Sequence, residues 1–317
     1  MIKEKIDICF IILHYMDMKL TERTVESILG LDQIQDCKII IVDNASLNRS
    51  GQMLVEKYCN NRMIHVILSK VNGGFAKGNN LGYEYCLEHY DTDFVIAANN
   101  DVIFSQKEFI PLLYECYEQD KFYVAGPDTF VPYHQYHQSP LSMSVRDDLQ
   151  MEYCIQKEMK KIKTYSRKVS LKLVRMFLIE KLKNTTLQKV FKIYRFIKPQ
   201  KDIQWKELKK NVVLMGACLI FSDQYCEQNR ELFEPLTFMY GEEDFLALKC
   251  VTNGGSTTYI PKLKVMHISQ GSSQSNKQSF KEFKNNKIKR SSDAIRICRL
   301  YIEKYRELGL AGMDRKW

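Results

Sequence analysis

Apolar and polar positions alternate in blocks along the first third of the chain. Residues 6–13, 38–42, 65–68 and 94–98 are short apolar runs of strand length, rich in Ile and Val. Between them, 21–31, 53–58 and a stretch ending near Tyr90 are helical in pattern; the first carries Val25, Ile28 and Leu29 on one face. Apolar runs without internal alternation suit strands covered on both faces, and strands alternating with helices predict a parallel, doubly wound α/β sheet. A helix over 109–119 is followed by a short strand, 123–126, and an irregular loop, 127–140, rich in Tyr, His and Pro. Residues 146–201 break the rhythm: they are helical in period and carry no strand signal. Strand pattern returns at 212–221, a helix begins near Glu242, 256–260 is a strand, and 264–267 leads into a Gly/Ser/Gln loop. The expected organisation is one α/β domain over 1–275, interrupted by a helical insertion at about 146–201, then a helical tail over 276–317.

Composition changes this picture little. Hydrophobic content of 45% with 27% charged residues is that of a soluble globular protein, and no apolar run approaches a membrane span. The apolar N-terminus contains Asp7 and lacks a small-residue cleavage site, so it reads as a first strand and not as a signal peptide. Ten cysteines form no Cys-x-x-Cys pair and no metal-ligand spacing, which predicts free thiols and a cytoplasmic location. Charge matters once it is located. Between Arg146 and Lys201 there are 16 Lys/Arg against five Asp/Glu, so the remainder of this +9 chain carries −2. One segment is basic; the protein is not.

The candidate chemistry lies at the strand ends. Four successive strands run into polar clusters: His14-Tyr15, Asp43-Asn-Ala-Ser46, the glycine-rich stretch 72–80, and Asn99-Asn-Asp101. In a parallel sheet those ends share one edge, where open α/β sheets bind ligands. The clusters fit a nucleotide diphosphate. Asp43 can accept from the imide N–H of uracil or thymine, while Asn44 and Ser46 hold its loop. Gly73, Gly74 and Gly78, in a loop with Asn72, Phe75 and Asn79, allow close backbone approach, and the helix beyond offers N–H groups. The turn preference of Asn and Asp, or an ordinary glycine-rich turn, would produce the same residues without a ligand. The dinucleotide fingerprint is excluded, because strand one runs into His14-Tyr15-Met16 instead of Gly-x-Gly-x-x-Gly.

The ordered set Val42-Asp-Asn-Ala-Ser46, Asn72-Gly-Gly-Phe-Ala-Lys-Gly-Asn-Asn-Leu-Gly82, Asn99-Asn-Asp101 and Phe238-Met-Tyr-Gly-Glu-Glu-Asp244 resembles family 2 inverting glycosyltransferases of the GT-A fold. The type is similar to rhamnosyltransferase-like enzymes of bacterial capsule and O-antigen assembly. The resemblance covers roughly residues 6–126 and 210–275. It implies a UDP- or dTDP-linked donor, a glycan acceptor and a divalent cation, Mg2+ or Mn2+, on the donor diphosphate. Asp101 would be the cation-binding carboxylate and His267 a second metal or phosphate-facing group. Asn99 stands where the family's acidic motif usually begins, which removes one negative charge. Met215 and Gly216 would lie beside the donor sugar. Among Glu242, Glu243 and Asp244 one would be the general base: aligning on Tyr240-Gly241 selects Glu243, aligning on the Glu-Asp pair selects Asp244. Acidic residues in a first helical turn also suit the macrodipole without any catalytic role.

The basic segment, with Leu171, Phe177, Phe191 and Tyr194 among its Lys and Arg residues, suits an anionic membrane surface. A polyprenyl-diphosphate-linked acceptor would give that surface a purpose and make the protein peripheral on the inner face of the cell membrane. A solvated helical insertion and a homo-oligomer interface are the alternatives. No nucleic-acid module is present. Two other functions stay open, a nucleotide-sugar-binding protein without catalysis and a sugar nucleotidyltransferase, although the latter wants a glycine-rich loop directly after strand one.

Overall fold

The computed structural model describes residues 3–133, 135–166, 171–182, 205–268 and 279–310. The expected helical stretch over 183–201 and the Gly/Ser/Gln loop after Ile268 lie outside the described residues. Packing divides the chain into two units, Met1–Arg146 with Trp205–Ser269 and Asp147–Gln204 with Gln270–Met313.

The first unit is built on strands β1 (Glu4–His14), β2 (Cys37–Asp43), β3 (Ile64–Leu68), β4 (Tyr90–Asn99), β5 (Val102–Ile103), β6 (Val124–Val131), β7 (Tyr136–His137), β8 (Lys209–Lys210), β9 (Cys218–Ser222) and β10 (Thr257–His267). The described helices are α1 (Met18–Leu29), α2 (Ser50–Tyr58), α3 (Gly74–His89), α4 (Phe109–Gln119), α5 (Asp148–Ser166), α6 (Leu171–Leu182), α7 (Asp223–Gln228), α8 (Glu242–Thr252) and α9 (Phe280–Glu307). The sheet order is β3-β2-β1-β4-β9-β6-β10-β5, with β7 added to β6 and β8 to β10. β3, β2, β1 and β4 are parallel, as are β6 and β10, whereas β9 runs antiparallel between β4 and β6. The result is a largely parallel sheet with helices on both faces.

Burial on both faces explains the unbroken apolar runs. Along β1, Phe10 and Ile12 point into one core with Ile39 and Ile41 of β2, Val25 of α1, Leu54 of α2 and Leu113 of α4. The intervening Cys9 and Ile11 point into the other, with Ile40 and Val42, Tyr83 of α3 and Leu246 of α8. A polar residue at any of these positions would be buried against carbon, so apolar spacing of one replaces spacing of two.

Several boundaries differ from the pattern-based expectation, each for a local reason. The first helix starts at Met18 because the Asp17 side chain caps the Leu20 N–H. The glycine-rich stretch is a loop only to Gly73; from Gly74 onward it is helix. Its glycines serve close helix-to-sheet packing: a Cβ on Gly78 would lie 2.4 Å from Leu13 Cδ1, and one on Gly82 would lie 2.7 Å from Ile11 Cγ2. Residues 212–217 do not extend the following strand, which is confined to Cys218–Ser222. The short strand expected at 123–126 continues to Val131, and the last two strand segments merge into β10 through a register shift between Ile260 and Lys264.

In the second unit, α5 packs along α9, and Leu173 of α6 joins Tyr165 and Phe283 in a small core with Met176, Phe177, Phe280 and Ile288 around it. α9 opens with a capping box between Ser279 and Glu282. The inserted helices and the tail thus form a common unit in packing. Among the described residues no helix is long and apolar enough to cross a membrane, and all ten cysteines are free.

Candidate functional site

The parallel strands align their carboxyl ends: His14 is in register with Asp43, and Leu13 with both Val42 and Asn99. The polar tips therefore meet on one edge. What each tip does there differs.

His14 is fully buried, its Nδ1 2.6 Å from Thr21 Oγ1 and its Nε2 2.8 Å from Ser50 Oγ. Burial lowers its pKa, with Asp43 and Asp17 opposing. Both ring nitrogens are occupied, so His14 braces the strand end. Asp43 is itself enclosed, accepting from the Ser46 N–H at 3.2 and 3.4 Å. Asn44 ties two tips together: its Oδ1 accepts from the Gly73 N–H and its Nδ2 donates to the Gly74 carbonyl. Ser46 Oγ accepts from the Met16 N–H at 2.8 Å, beside exposed Tyr15.

At the start of α3 the backbone donors are engaged within the protein. The Gly74 N–H goes to Asn72 Oδ1 and the Phe75 N–H to the Phe238 carbonyl. With Gly73 bonded to Asn44, these donors are taken by protein acceptors and knit the loops instead of awaiting an anion. Gly74 is required by its φ of +80° and by the Phe238 carbonyl oxygen, which would lie 1.9 Å from any Cβ. Gly78 and Asn79 face inward: Gly78 abuts Leu13, and Asn79 is buried with Nδ2 donating to the Phe75 carbonyl. Helix formation from Gly74 turns both residues toward the sheet. Phe75 packs edge-on against Phe233.

Through Phe238 the glycine stretch reaches the acidic helix. Glu242 is buried and accepts from Thr237 Oγ1 at 2.9 Å; burial raises its pKa against backbone and Thr237 hydrogen bonds. Glu243 is half-buried, and burial raises its pKa to about 7 despite N–H donors that include Gly216; the charges of Glu242 and Asp244 push the same way. Desolvation here outweighs the favourable dipole of a helix first turn. Asp244 takes a different partner: Arg146 Nη1 donates to both of its carboxylate oxygens, at 2.7 and 2.6 Å. Burial raises the Asp244 pKa while Arg146 opposes it.

Met215, Gly216 and Ala217 precede β9 and do not end a strand, yet they reach the same edge. An antiparallel strand begins where its parallel neighbours finish, so the Ala217 carbonyl accepts from the Asn99 N–H at 2.9 Å. Two residues on, Asp101 Oδ1 lies 3.1 Å from His267 Nε2, and His267 Nδ1 lies 2.7 Å from Gln138 Oε1. Asn100 is turned back toward α1, donating to Thr21 Oγ1, and has a bracing role. A path of contacts and chain neighbours thus runs from Asn44 through Gly74, Phe238 and the adjacent Thr237 to Glu242, Glu243, Gly216 and Ala217, and on to Asn99 and Asp101. Sequence reasoning missed Gln138 and Arg146 as site residues. Gln138 lay in a loop with no motif, and Arg146 stood out only as the first cation of a basic stretch.

The comparisons agree with this architecture. A 121-residue stretch is 27% identical to the low-salt glycan biosynthesis hexosyltransferase Agl10 of Haloferax volcanii, covering 38% of this chain and 36% of that protein. The chain therefore spans little more than a third of the length of the curated relative it matches. Among solved structures, residues 1–349 of S. aureus TarS superpose over 98% of this chain and 76% of that one, at 12% identity and a TM-score of 0.50, which is a likeness of fold. The Glycosyl transferase family 2 profile matches residues 9–211, most of the chain, which takes in the tips of β1 to β4 and ends before β9, the acidic helix and β10. The chain belongs to glycosyl transferase family 2.

Proposed function

We propose that the protein transfers a hexose, with inversion, from a UDP- or dTDP-linked donor to a glycan acceptor, and that Glu243 is the general base. The split between two neighbouring carboxylates carries this reading. Asp244 is held by Arg146, whereas Glu243 meets backbone N–H groups and has its pKa raised to about 7. A base of that strength is partly ionised at neutral pH and still able to take a proton as the new bond forms. The acceptor hydroxyl oxygen would bond the anomeric carbon as its proton passes to Glu243. The bond from that carbon to the diphosphate oxygen breaks, and the nucleoside diphosphate departs with the electron pair.

Asp101 and His267 fit a divalent cation, Mg2+ or Mn2+, brought with the donor. Gln138 Oε1 can only accept, so His267 Nδ1 carries the hydrogen. With a metal bound, Nε2 would offer its lone pair 3.1 Å from an Asp101 oxygen, a separation at which the two could share one cation. Such a cation supplies charge stabilisation to the leaving diphosphate. Among the described residues no group of three or more His, Cys, Asp or Glu could hold a metal, so diphosphate oxygens would complete the shell.

A lipid-linked oligosaccharide in capsular or surface polysaccharide synthesis is the acceptor class we favour, met at the inner face of the cell membrane. Exposed Leu149, Tyr153 and Met159 on α5, within the basic segment, support contact with an anionic lipid surface. Release of nucleoside diphosphate from a panel of UDP- and dTDP-hexoses with Mn2+ tests the function. Hydrolysis should be lost in Asp101→Ala and Glu243→Gln, and should fall in the native protein as pH drops below about 7. A folded protein that binds these donors and turns none over would instead be a nucleotide-sugar-binding protein.

A further inference from the structure

The segment joining Gln138 to Arg146 lies alongside residues 211–215 and is pinned to it along its length. Leu141 N–H donates to the Val213 carbonyl at 2.7 Å, Val213 N–H to Ser142 at 3.0 Å, and Val145 N–H to Asn211 at 2.9 Å. Ser139 Oγ accepts from the Met215 N–H at 3.4 Å. Arg146 follows the last of these bonds directly, so its backbone is fixed where the side chain reaches Asp244. The same 211–216 strip ends at Gly216, whose N–H meets the Glu243 carboxylate. A Cβ at Gly216 would stand 2.7 Å from Glu243 Oε1, so only glycine admits the carboxylate this closely. Successive side chains on a helix point about 100° apart, and this lets adjacent carboxylates of α8 meet different surroundings.

We propose that Arg146 is a positioning residue: by pairing with both carboxylate oxygens of Asp244 it leaves Glu243 as the member of the pair that accepts the proton of an incoming hydroxyl. The inference rests on the assignment of Glu243 as base. Among the described residues, the charged groups that act on the pair include Glu242, Glu243 and Asp244 of α8, and Arg146 from the pinned segment. Without the guanidinium, two partly buried like charges would stand side by side. They would then share a proton and titrate as a pair, with neither reserved for catalysis.

Carboxyl-labelled Glu and Asp in the full chain, followed by 13C NMR against pH, reports both groups without any donor. The expected native result is Glu243 titrating near 7 and Asp244 titrating independently of it. In Arg146→Gln, Asp244 should titrate about 1–3 units higher than in the native chain and become coupled to Glu243. Arg146→Lys, which keeps the charge, should restore the independent titrations, a rescue that a merely structural role would not give. Should Arg146→Gln fail to fold, the double variant Arg146→Gln/Asp244→Asn removes both charges, and Glu243 should then titrate lower and alone. An Asp244 titration unmoved in Arg146→Gln, or a Glu243 titration unmoved in the double variant, overturns the role of Arg146. Undiminished donor hydrolysis in Glu243→Gln, with the titrations as expected, overturns the base assignment and leaves the Arg146–Asp244 coupling standing.

Discussion

Replacing Glu243 with Gln should cut turnover steeply and, above neutral pH, make the protein more stable. Burial raises the folded-state pKa of Glu243 from 4.5 to about 7. A carboxyl group whose pKa is raised on folding binds protons more tightly in the folded state. Its favourable contribution is complete below about pH 4.5 and is lost as pH rises through about 7. At 1.36 kcal/mol per unit, a shift of about 2.5 units costs the ionised protein about 3 kcal/mol at pH 8. Glutamine has the shape of the protonated side chain and never ionises, so Glu243→Gln escapes that cost. Relative to the native chain it should be near-neutral in stability at about pH 4.5 and gain about 3 kcal/mol by pH 8. For a domain of this size that is roughly 6–12 °C in Tm. Calorimetric melting of both proteins at the two pH values measures it, with loss of turnover by about 10²–10⁴ checked in parallel. A difference in Tm that is the same at both pH values would refute the raised pKa, and with it the electrostatic basis for choosing Glu243.

Three further outcomes follow from the geometry. Gly78→Ala forces a methyl to within 2.4 Å of Leu13 Cδ1, so chemical denaturation should show a loss of about 1–3 kcal/mol from overpacking between α3 and β1. With Asn99 in place of a carboxylate and, among the described residues, no group of three donors around Asp101 and His267, Mn2+ should bind the free protein weakly. UDP should strengthen binding, and calorimetric titration showing tight Mn2+ binding without nucleotide would contradict this. Flotation with anionic vesicles should capture the protein at low salt and release it at high salt; protein that stays unbound at low salt removes the membrane-surface reading.

Much of the fold was readable before any coordinates, because strands buried on both faces leave a one-dimensional trace. The runs at 38–42 and 94–98 lie within β2 and β4, with Ile39 and Ile41 facing one core and Ile40 the other. Parallel order then follows from the alternation with helices, and it brought the tips of β1 to β4 to one edge. The acidic trio was visible as well, since three carboxylates opening a helix are local in the chain.

Tertiary structure decided what those residues do. Whether Gly78 lines a ligand or admits a strand depends on Leu13, 65 positions earlier. His14 looks like a ligand contact until Thr21 and Ser50 are found on both of its nitrogens. Glu243 and Asp244 are told apart by Arg146, which pairs with the aspartate from 98 residues away in the chain. Hydrophobic burial is additive along a strand and survives in local composition. Desolvation, charge pairing and steric exclusion depend on which distant atoms arrive within a few ångströms, and no local pattern encodes that.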